Sequence, residues 1–388
     1  MAQDARVDRS VSRREFLVSA AAAALLRRQM FALKSAPAGR LVGTVPFGTP
    51  GARVAPLQQL LGSGLDARLF SDLSSLAPDR LVTPTEHFFI RTAAAPSLPA
   101  APGWTVALGD GVLALDELER LSGPAGRYLL ECSGNADPAN YGLISVADWE
   151  GVPLQAVLDR LRPTRTSSPG SRVLITGFDD EATPTRTSVP GASWIFSRDD
   201  LANAVLAMRM NGAPLTRDHG APVRLVVPGW YGCACIKWVT RVDLVGEDAP
   251  ATTQMREFAS RTQQAGSPAL ARDYTPAVID TAAVPVRIEQ WDAEGTITYR
   301  VVGIIWGGAA SKGPTSALAI RFKATEPWRP VENCPLPAST LTWSLWTHTW
   351  RPASPGRYEI ALKVTDPSIR TRRLDLFYYV REATIDRV

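Results

Sequence analysis

Tyr128-Leu129-Leu130-Glu131-Cys132-Ser133-Gly134-Asn135 is the stretch on which the reading of this chain turns. The apolar run before the cysteine has the composition of a buried strand, and Ser-Gly-Asn supplies a turn that ends it. Cys132 is therefore expected at a strand end, where loops held by a rigid scaffold often carry chemistry. A thiol there can act as nucleophile, metal ligand, half of a disulfide or simply a small buried side chain.

Working outward, the next informative block is Leu215-Thr216-Arg217-Asp218-His219-Gly220-Ala221-Pro222-Val223-Arg224, which runs into Leu225-Val226-Val227-Pro228-Gly229. Trp230-Tyr231-Gly232-Cys233-Ala234-Cys235-Ile236-Lys237-Trp238 follows directly. An imidazole, guanidinium groups and an ammonium crowd a Gly/Pro loop before a β-branched strand. Such donors suit a phosphate or another oxyanion, and equally occur as surface charges at strand ends. Upstream, His87-Phe88-Phe89-Ile90-Arg91 reads as a strand-like aromatic run carrying an arginine. Trp104–Leu108 and Arg172–Gly177 read as strands, Leu113–Leu121 and Leu154–Leu161 as helical, Leu201–Met210 as helix or strand, and Asn211-Gly212 as a hairpin turn. Residues 39–80 look loop-rich. From Thr275 onward, short alternating runs separated by Gly/Pro turns predict an antiparallel β-sandwich of immunoglobulin-like type, with a small barrel as the alternative.

Composition narrows the class. A hydrophobic fraction of 45% and a charged fraction of 21% over 388 residues fit a globular chain of two or three domains. Seven of the 42 basic residues but only three of the 38 acidic ones fall in residues 1–38, so the remainder is formally neutral. That argues against a nucleic-acid partner. The early basic segment holds Ser12-Arg13-Arg14-Glu15-Phe16-Leu17, an Ala-rich apolar run too short to span a bilayer, and Ala36-Pro37-Ala38 as a cleavage site. It resembles a twin-arginine export signal, which implies a periplasmic protein exported already folded, with no membrane span in the mature form. Three histidines at 87, 219 and 348 have no helical metal-ligand spacing, and no Cys-x-x-Cys-His haem motif occurs.

With these residues in view, the chain resembles the sulfite oxidase family of molybdenum-cofactor oxidoreductases. The family's C-x-G-N segment is matched by Cys132-Ser133-Gly134-Asn135, and its F-F-x-R run by Phe88-Phe89-Ile90-Arg91. The long block M-N-G-x-P-L-x-R-D-H-G-x-P-V-R is matched by Met210 through Arg224, and V-K-W, with one change, by Ile236-Lys237-Trp238. The resemblance implies an α+β chain: a signal at 1–38, a mixed α/β molybdopterin-binding domain at 39–274, and an immunoglobulin-like dimerisation domain at 275–388. It implies a molybdenum–molybdopterin cofactor, two-electron oxygen-atom transfer, a homodimer, and a small-molecule substrate. Electrons would pass to an external carrier such as a cytochrome c. Cys132 would be the metal's thiolate ligand. Phe89, Arg91, Asp179, His219, Arg224 and Lys237 would line the pterin or oxyanion site, and Cys235 and Ile236 would contribute through their backbone.

Two departures bear on the substrate. The family places arginines after C-x-G-N where this chain has Ala136 and Asp137, and Phe258 falls near the position of a tyrosine. A carboxylate at ~4 Å would oppose an incoming anion by about 4 kcal/mol at an effective dielectric of ~20. On that ground Asp137 belongs among the active-site residues, and sulfite is expected to be a poor substrate beside other sulfur or nitrogen compounds. The competing expectations are a reductase of S- or N-oxides using the same cofactor, and a secreted binding protein with an empty pocket. Cys233 and Cys235 are open between packing and a redox role.

Overall fold

The computed structural model describes residues 37–388 apart from 49–55, 63–66, 92–97, 99, 136–140, 162–171, 179–191, 309–317, 333–338, 340 and 373–379. Strand dominates. The α-helices among the described residues are short: Leu115–Leu121, Leu154–Leu158 and Thr253–Glu257. None is long and apolar enough to cross a membrane.

Two five-stranded sheets build the first unit. In one, Val205–Met210 lies between Ala213–Pro214 and Ile144–Pro153 and also pairs with Arg224–Val226; Gly123–Glu131 pairs with the far side of Ile144–Pro153. In the other, the order is Gly111–Ala114, Thr105–Leu108, Val239–Val245, Arg172–Gly177 and Ser193–Ser197, with a parallel pairing between Thr105–Leu108 and Val239–Val245. Two four-stranded sheets form the second unit. One runs Arg40–Val45, Ala282–Ala293, Thr296–Trp306, Ser344–Trp350; the other runs Arg329–Pro330, Leu318–Arg321, Gly356–Val364, Arg381–Ile385. The α+β architecture with a terminal β-sandwich is therefore the one expected.

The strand Gly123–Glu131 explains how the two units meet. Successive side chains of a strand point to opposite faces. Leu130 packs into the core of the first unit with Ala147, Trp149 and Val152. Leu129 faces the other way, into the sandwich core with Ile144 and Val146. One sheet thus carries an apolar surface on both sides and forms the partition between two cores. Glu131, next on the Leu129 face, is delivered to the sandwich; Cys132 follows at the edge.

Several elements differ from the sequence reading. Leu201–Met210 resolves to a strand over Val205–Met210, because pairing on both sides overrides the helix-compatible Leu-Ala-Met composition. Residues 87–91 are strand only at Ile90–Arg91, after a 3-10 turn at Thr85–His87 that follows Pro84. Leu113–Leu121 divides into a hairpin strand, Gly111–Ala114, and a helix from Leu115. The loop-rich 39–80 region holds a strand, Arg40–Val45, whose partner Ala282–Ala293 lies in the sandwich. The turn at Asn211-Gly212 is as expected: both residues have positive φ, 53° and 76°.

Candidate active site

The Cys132 turn is tied at both ends. Its entry is fixed by Cys132 N–H donating to Leu143 O at 2.9 Å, and its exit by Asn135 N–H donating to Cys132 O at 2.9 Å. The Asn135 side chain closes the turn: Leu143 N–H donates to its Oδ1 at 3.1 Å, and its Nδ2 donates to Glu131 Oε1 at 3.3 Å. Gly134 N–H points at Cys132 Sγ, 3.4 Å away. Phe70 and Leu143 pack on the thiol side, with Phe89 against them.

Charge converges on this sulfur. Burial pushes the Cys132 thiol above its ordinary range, while the Gly134 N–H and the guanidinium groups of Arg91, Arg372 and Arg261 pull it back. Only Arg91 of these three was among the expected site residues. Arg372 arrives from the sandwich unit. Its Nη2 donates to Ser133 O at 2.6 Å, its Nη1 donates to Glu131 Oε1 at 3.2 Å, and its guanidinium lies over the Tyr231 ring at 5.2 Å. Glu131 itself is fully buried and also accepts from Trp306 Nε1 at 2.9 Å. Burial raises its carboxyl pKa; Arg372, Trp306 and Asn135 oppose that rise. Nothing local in the sequence marks Arg372, which a sandwich loop far along the chain brings to the turn; Trp306 stands in a Trp-Gly-Gly run that resembles the family's terminal domain, but nothing local ties it to Glu131. Arg261 had a signal: it stands three residues after Phe258, and such pairs share a face of a 3-10 turn.

The donor-rich block folds into a second cluster. His219 is buried beside the Phe88 ring, edge to face at 5.4 Å. Its Nδ1 meets Thr216 Oγ1 at 2.6 Å and its Nε2 meets Phe88 O at 3.2 Å. Burial lowers its pKa to about 3, with Lys237 and Arg224 adding and the Phe88 carbonyl opposing. His219 is thus neutral near pH 7, with both ring nitrogens engaged inside the protein. Arg224 is buried; Nη1 donates to His219 O at 3.1 Å and Nη2 to Cys235 O at 3.2 Å. Burial brings its pKa down to about 10. Lys237 Nζ donates to Asp218 O at 2.7 Å. The Cys235 and Ile236 carbonyls are used inside the fold, by Arg224 and by Leu225 N–H at 2.7 Å. Cys235 Sγ accepts from Val227 N–H at 3.4 Å, a packing contact. Burial pushes the Cys233 thiol up to about 12, with Cys132 adding and Ser133 opposing, which keeps it protonated. Asp137 and Asp179 lie outside the described residues.

Gly220 holds the block together. Its φ of 102° is left-handed, and a Cβ there would come within 2.9 Å of Arg224 Cβ and 3.2 Å of Lys237 Cβ. Only glycine lets the loop carrying His219 lie against both cations.

The protein is similar to known ones over this region. Residues 104–253 match the model of the oxidoreductase molybdopterin binding domain family. Mitochondrial sulfite oxidase of Rattus norvegicus is 34% identical over 164 residues, 38% of this chain and 29% of that protein. Sulfite oxidase of Gallus gallus is 25% identical over 336 residues, 76% of this chain and 69% of that one. The chain spans less than a third of the rat protein and about half, 47%, of its mouse counterpart. The structure of the sulfane dehydrogenase SoxCD from Paracoccus pantotrophus superposes with a TM-score of 0.58 at 17% identity, covering 89% of this chain and 91% of that one, a likeness of fold.

The residues present fit a molybdenum–pterin group. The Nε of Arg224 is buried with no hydrogen-bond partner among the described residues, a donor left for a ligand. Burial disfavours the Cys132 thiolate, while Arg91, Arg372 and Arg261 oppose that effect, and such cations favour the ionised sulfur that a soft metal binds. Among the described residues no three His, Cys, Asp or Glu side chains gather as a metal cluster. With the matched domain, the related proteins and this donor chemistry together, residues 104–253 form an oxidoreductase molybdopterin binding domain, in a chain similar to sulfite oxidases.

Proposed function

We propose that the protein is a periplasmic enzyme that uses a molybdenum–molybdopterin cofactor to move an oxygen atom to or from a small sulfur or nitrogen compound. The observation that carries the proposal is the delivery of Cys132 to a turn where Arg91, Arg261 and Arg372 converge. The bound group supplies two-electron oxygen-atom transfer. The chain's own residues hold, orient and shield it. Cys132 would give the thiolate, held in place by Leu143 O and the Asn135 side chain. Arg224 and Lys237 would meet the pterin's oxyanionic end. His219, being neutral and bound at both nitrogens, serves as a strut that sets the Phe88 carbonyl against the Thr216 loop. Phe70, Phe89 and Leu143 keep water off the sulfur.

Three further expectations belong to this reading: export through Arg13 and Arg14, an external electron carrier such as a cytochrome c, and dimerisation through residues 275–388. The test is oxygen-atom transfer by protein from a molybdenum-replete host, with an artificial electron acceptor or donor and a panel of sulfite, sulfoxides and N-oxides. Turnover of at least one compound by wild type and none by Cys132→Ser supports it. Equal turnover by the two proteins would remove Cys132 from the chemistry.

A further inference from the structure

Cys233 has no part in the cofactor chemistry described above, yet it stands beside Cys132. Tyr231-Gly232-Cys233-Ala234-Cys235 folds into a tight turn: Ala234 N–H donates to Tyr231 O at 2.9 Å and Cys235 N–H to Gly232 O at 3.1 Å. The turn docks on the strand end that carries Cys132, through Gly232 N–H donating to Glu131 O at 2.7 Å. A Cβ on Gly232 would come within 3.2 Å of that same oxygen, so glycine is what allows the close approach. Backbones joined by such a bond run with Cα atoms about 5 Å apart. A disulfide spans Cα atoms about 4.4–6.8 Å apart. Cys132 and Cys233 each come one residue after the bonded pair, and Gln254 Nε2 holds the Cys233 carbonyl in place.

The two sulfurs share their surroundings. Both are free thiols, Cys132 buried and Cys233 half-buried against both cores. Ser133 Oγ is buried without a well-aligned hydrogen bond and lies against the Cys233 thiol, which Cys132 also reaches electrostatically. Cys235 is turned elsewhere. Its Sγ accepts from Val227 N–H at 3.4 Å, and Cys132 is not among the groups that act on it. Geometry therefore selects Cys233, and not Cys235, as the neighbour of Cys132.

We propose that Cys132 and Cys233 are a redox-active thiol pair: in the chain without cofactor a peroxide joins them in a disulfide, which withdraws Cys132 from metal binding. The consequence for metal binding rests on the cofactor reading above; the pairing itself does not. Cys132 Sγ, flanked by guanidinium groups, attacks one peroxide oxygen; an S–O bond forms, the O–O bond breaks and one water leaves. Cys233 Sγ attacks the resulting sulfenic sulfur; the S–S bond forms, the S–O bond breaks, and the Cys233 thiol proton leaves with the hydroxyl as a second water. The two sulfurs lose two electrons and the peroxide takes them up. A metal on Cys132 and a disulfide at Cys132 exclude each other, so a bound cofactor protects the sulfur and oxidation of the empty chain blocks loading.

The test is disulfide mapping on full-length protein, purified from a host unable to make the pterin and, separately, from a molybdenum-replete host. Each sample is treated with hydrogen peroxide, capped with N-ethylmaleimide, digested with trypsin without reduction and read by mass spectrometry. Cys233 and Cys235 fall in one tryptic peptide between Arg224 and Lys237, so Cys233→Ser and Cys235→Ser assign the bond. A peptide pair joined through Cys132, lighter by two hydrogens than its separate halves and split by dithiothreitol, should form in cofactor-free wild type and in Cys235→Ser. It should be lost in Cys233→Ser, where Cys132 proceeds to sulfinic acid for want of a resolving thiol. Absence of the pair in cofactor-free wild type overturns the proposal, as does a bond from Cys132 to Cys235 or Cys334. The pair should also be absent from molybdenum-loaded wild type. Its equal formation there would show that Cys132 does not hold the metal, overturning the cofactor reading and leaving the thiol pair standing.

Discussion

At the residue scale, the site separates groups that must be charged from one that must not be. His219 sits among cations and is held neutral by burial, by Lys237 and by Arg224, so it titrates at about 3 in place of 6.5. Between those values the unfolded chain carries a proton on this ring that the folded chain lacks. Stability therefore falls as pH drops from 6.5 toward 3, by at most about 1.4 kcal/mol per pH unit from this residue. Urea midpoints across pH 4–7 for wild type and His219→Gln should show a shallower acid loss in the variant; parallel slopes would contradict the assignment. Much of this cluster was legible in the sequence, since His219, Arg224 and Lys237 lie in one dense block whose types and order carry the signal. Arg91 and Cys132 were legible for the same reason. Arg372 was not, because a lone arginine in a sandwich loop looks like any other surface charge until the fold brings it to Ser133 O. The block's backbone roles were legible only in part: the Cys235 and Ile236 carbonyls satisfy Arg224 and Leu225 within the fold.

At the element scale, the strand Gly123–Glu131 does most to assemble the site. Its alternation sends Leu130 to one core and Leu129 with Glu131 to the other, so the residue before the thiol is anchored in the second unit. Arg372 and Trp306 hold Glu131 there. Removing one partner of a buried pair leaves the other charge uncompensated, at a cost of about 3–5 kcal/mol. Arg372→Met should therefore lower stability in denaturant titrations by about that amount, and Glu131→Gln in the same background should restore part of it. Additive losses in the double variant would show that the two side chains are not coupled. This strand was plain in the sequence, as were Arg172–Gly177 and the sandwich strands, because each has a β-branched or alternating run of its own. Arg40–Val45 was hidden: six residues containing a glycine acquire strand character only from Ala282–Ala293, far along the chain. Val205–Met210 was ambiguous for the related reason that its neighbours, and not its own propensity, decide its form.

At the scale of the whole molecule, the two units share the sheet that ends in Cys132, so the sandwich contributes to the candidate site as well as flanking it. The proposed cofactor would then be seated only with both units folded, and export of the folded protein is a proposal to be tested separately. Replacing Arg13 and Arg14 together with lysine should leave precursor in the cytoplasm, followed by fractionation and immunoblot; unimpaired export would assign the segment to another route. The terminal sandwich was legible at this scale because short alternating runs recur along the latter part of the chain, whereas the packing of Glu131 on Trp306 has no sequence signature. The measurement that bears most directly on the account is the molybdenum and pterin content of the purified full-length protein, by mass spectrometry of the metal and fluorescence of the released pterin. The account predicts about one of each per chain in wild type, with Cys132→Ser folded but devoid of oxygen-atom transfer. Wild-type protein from a molybdenum-replete host containing neither metal nor pterin would contradict it.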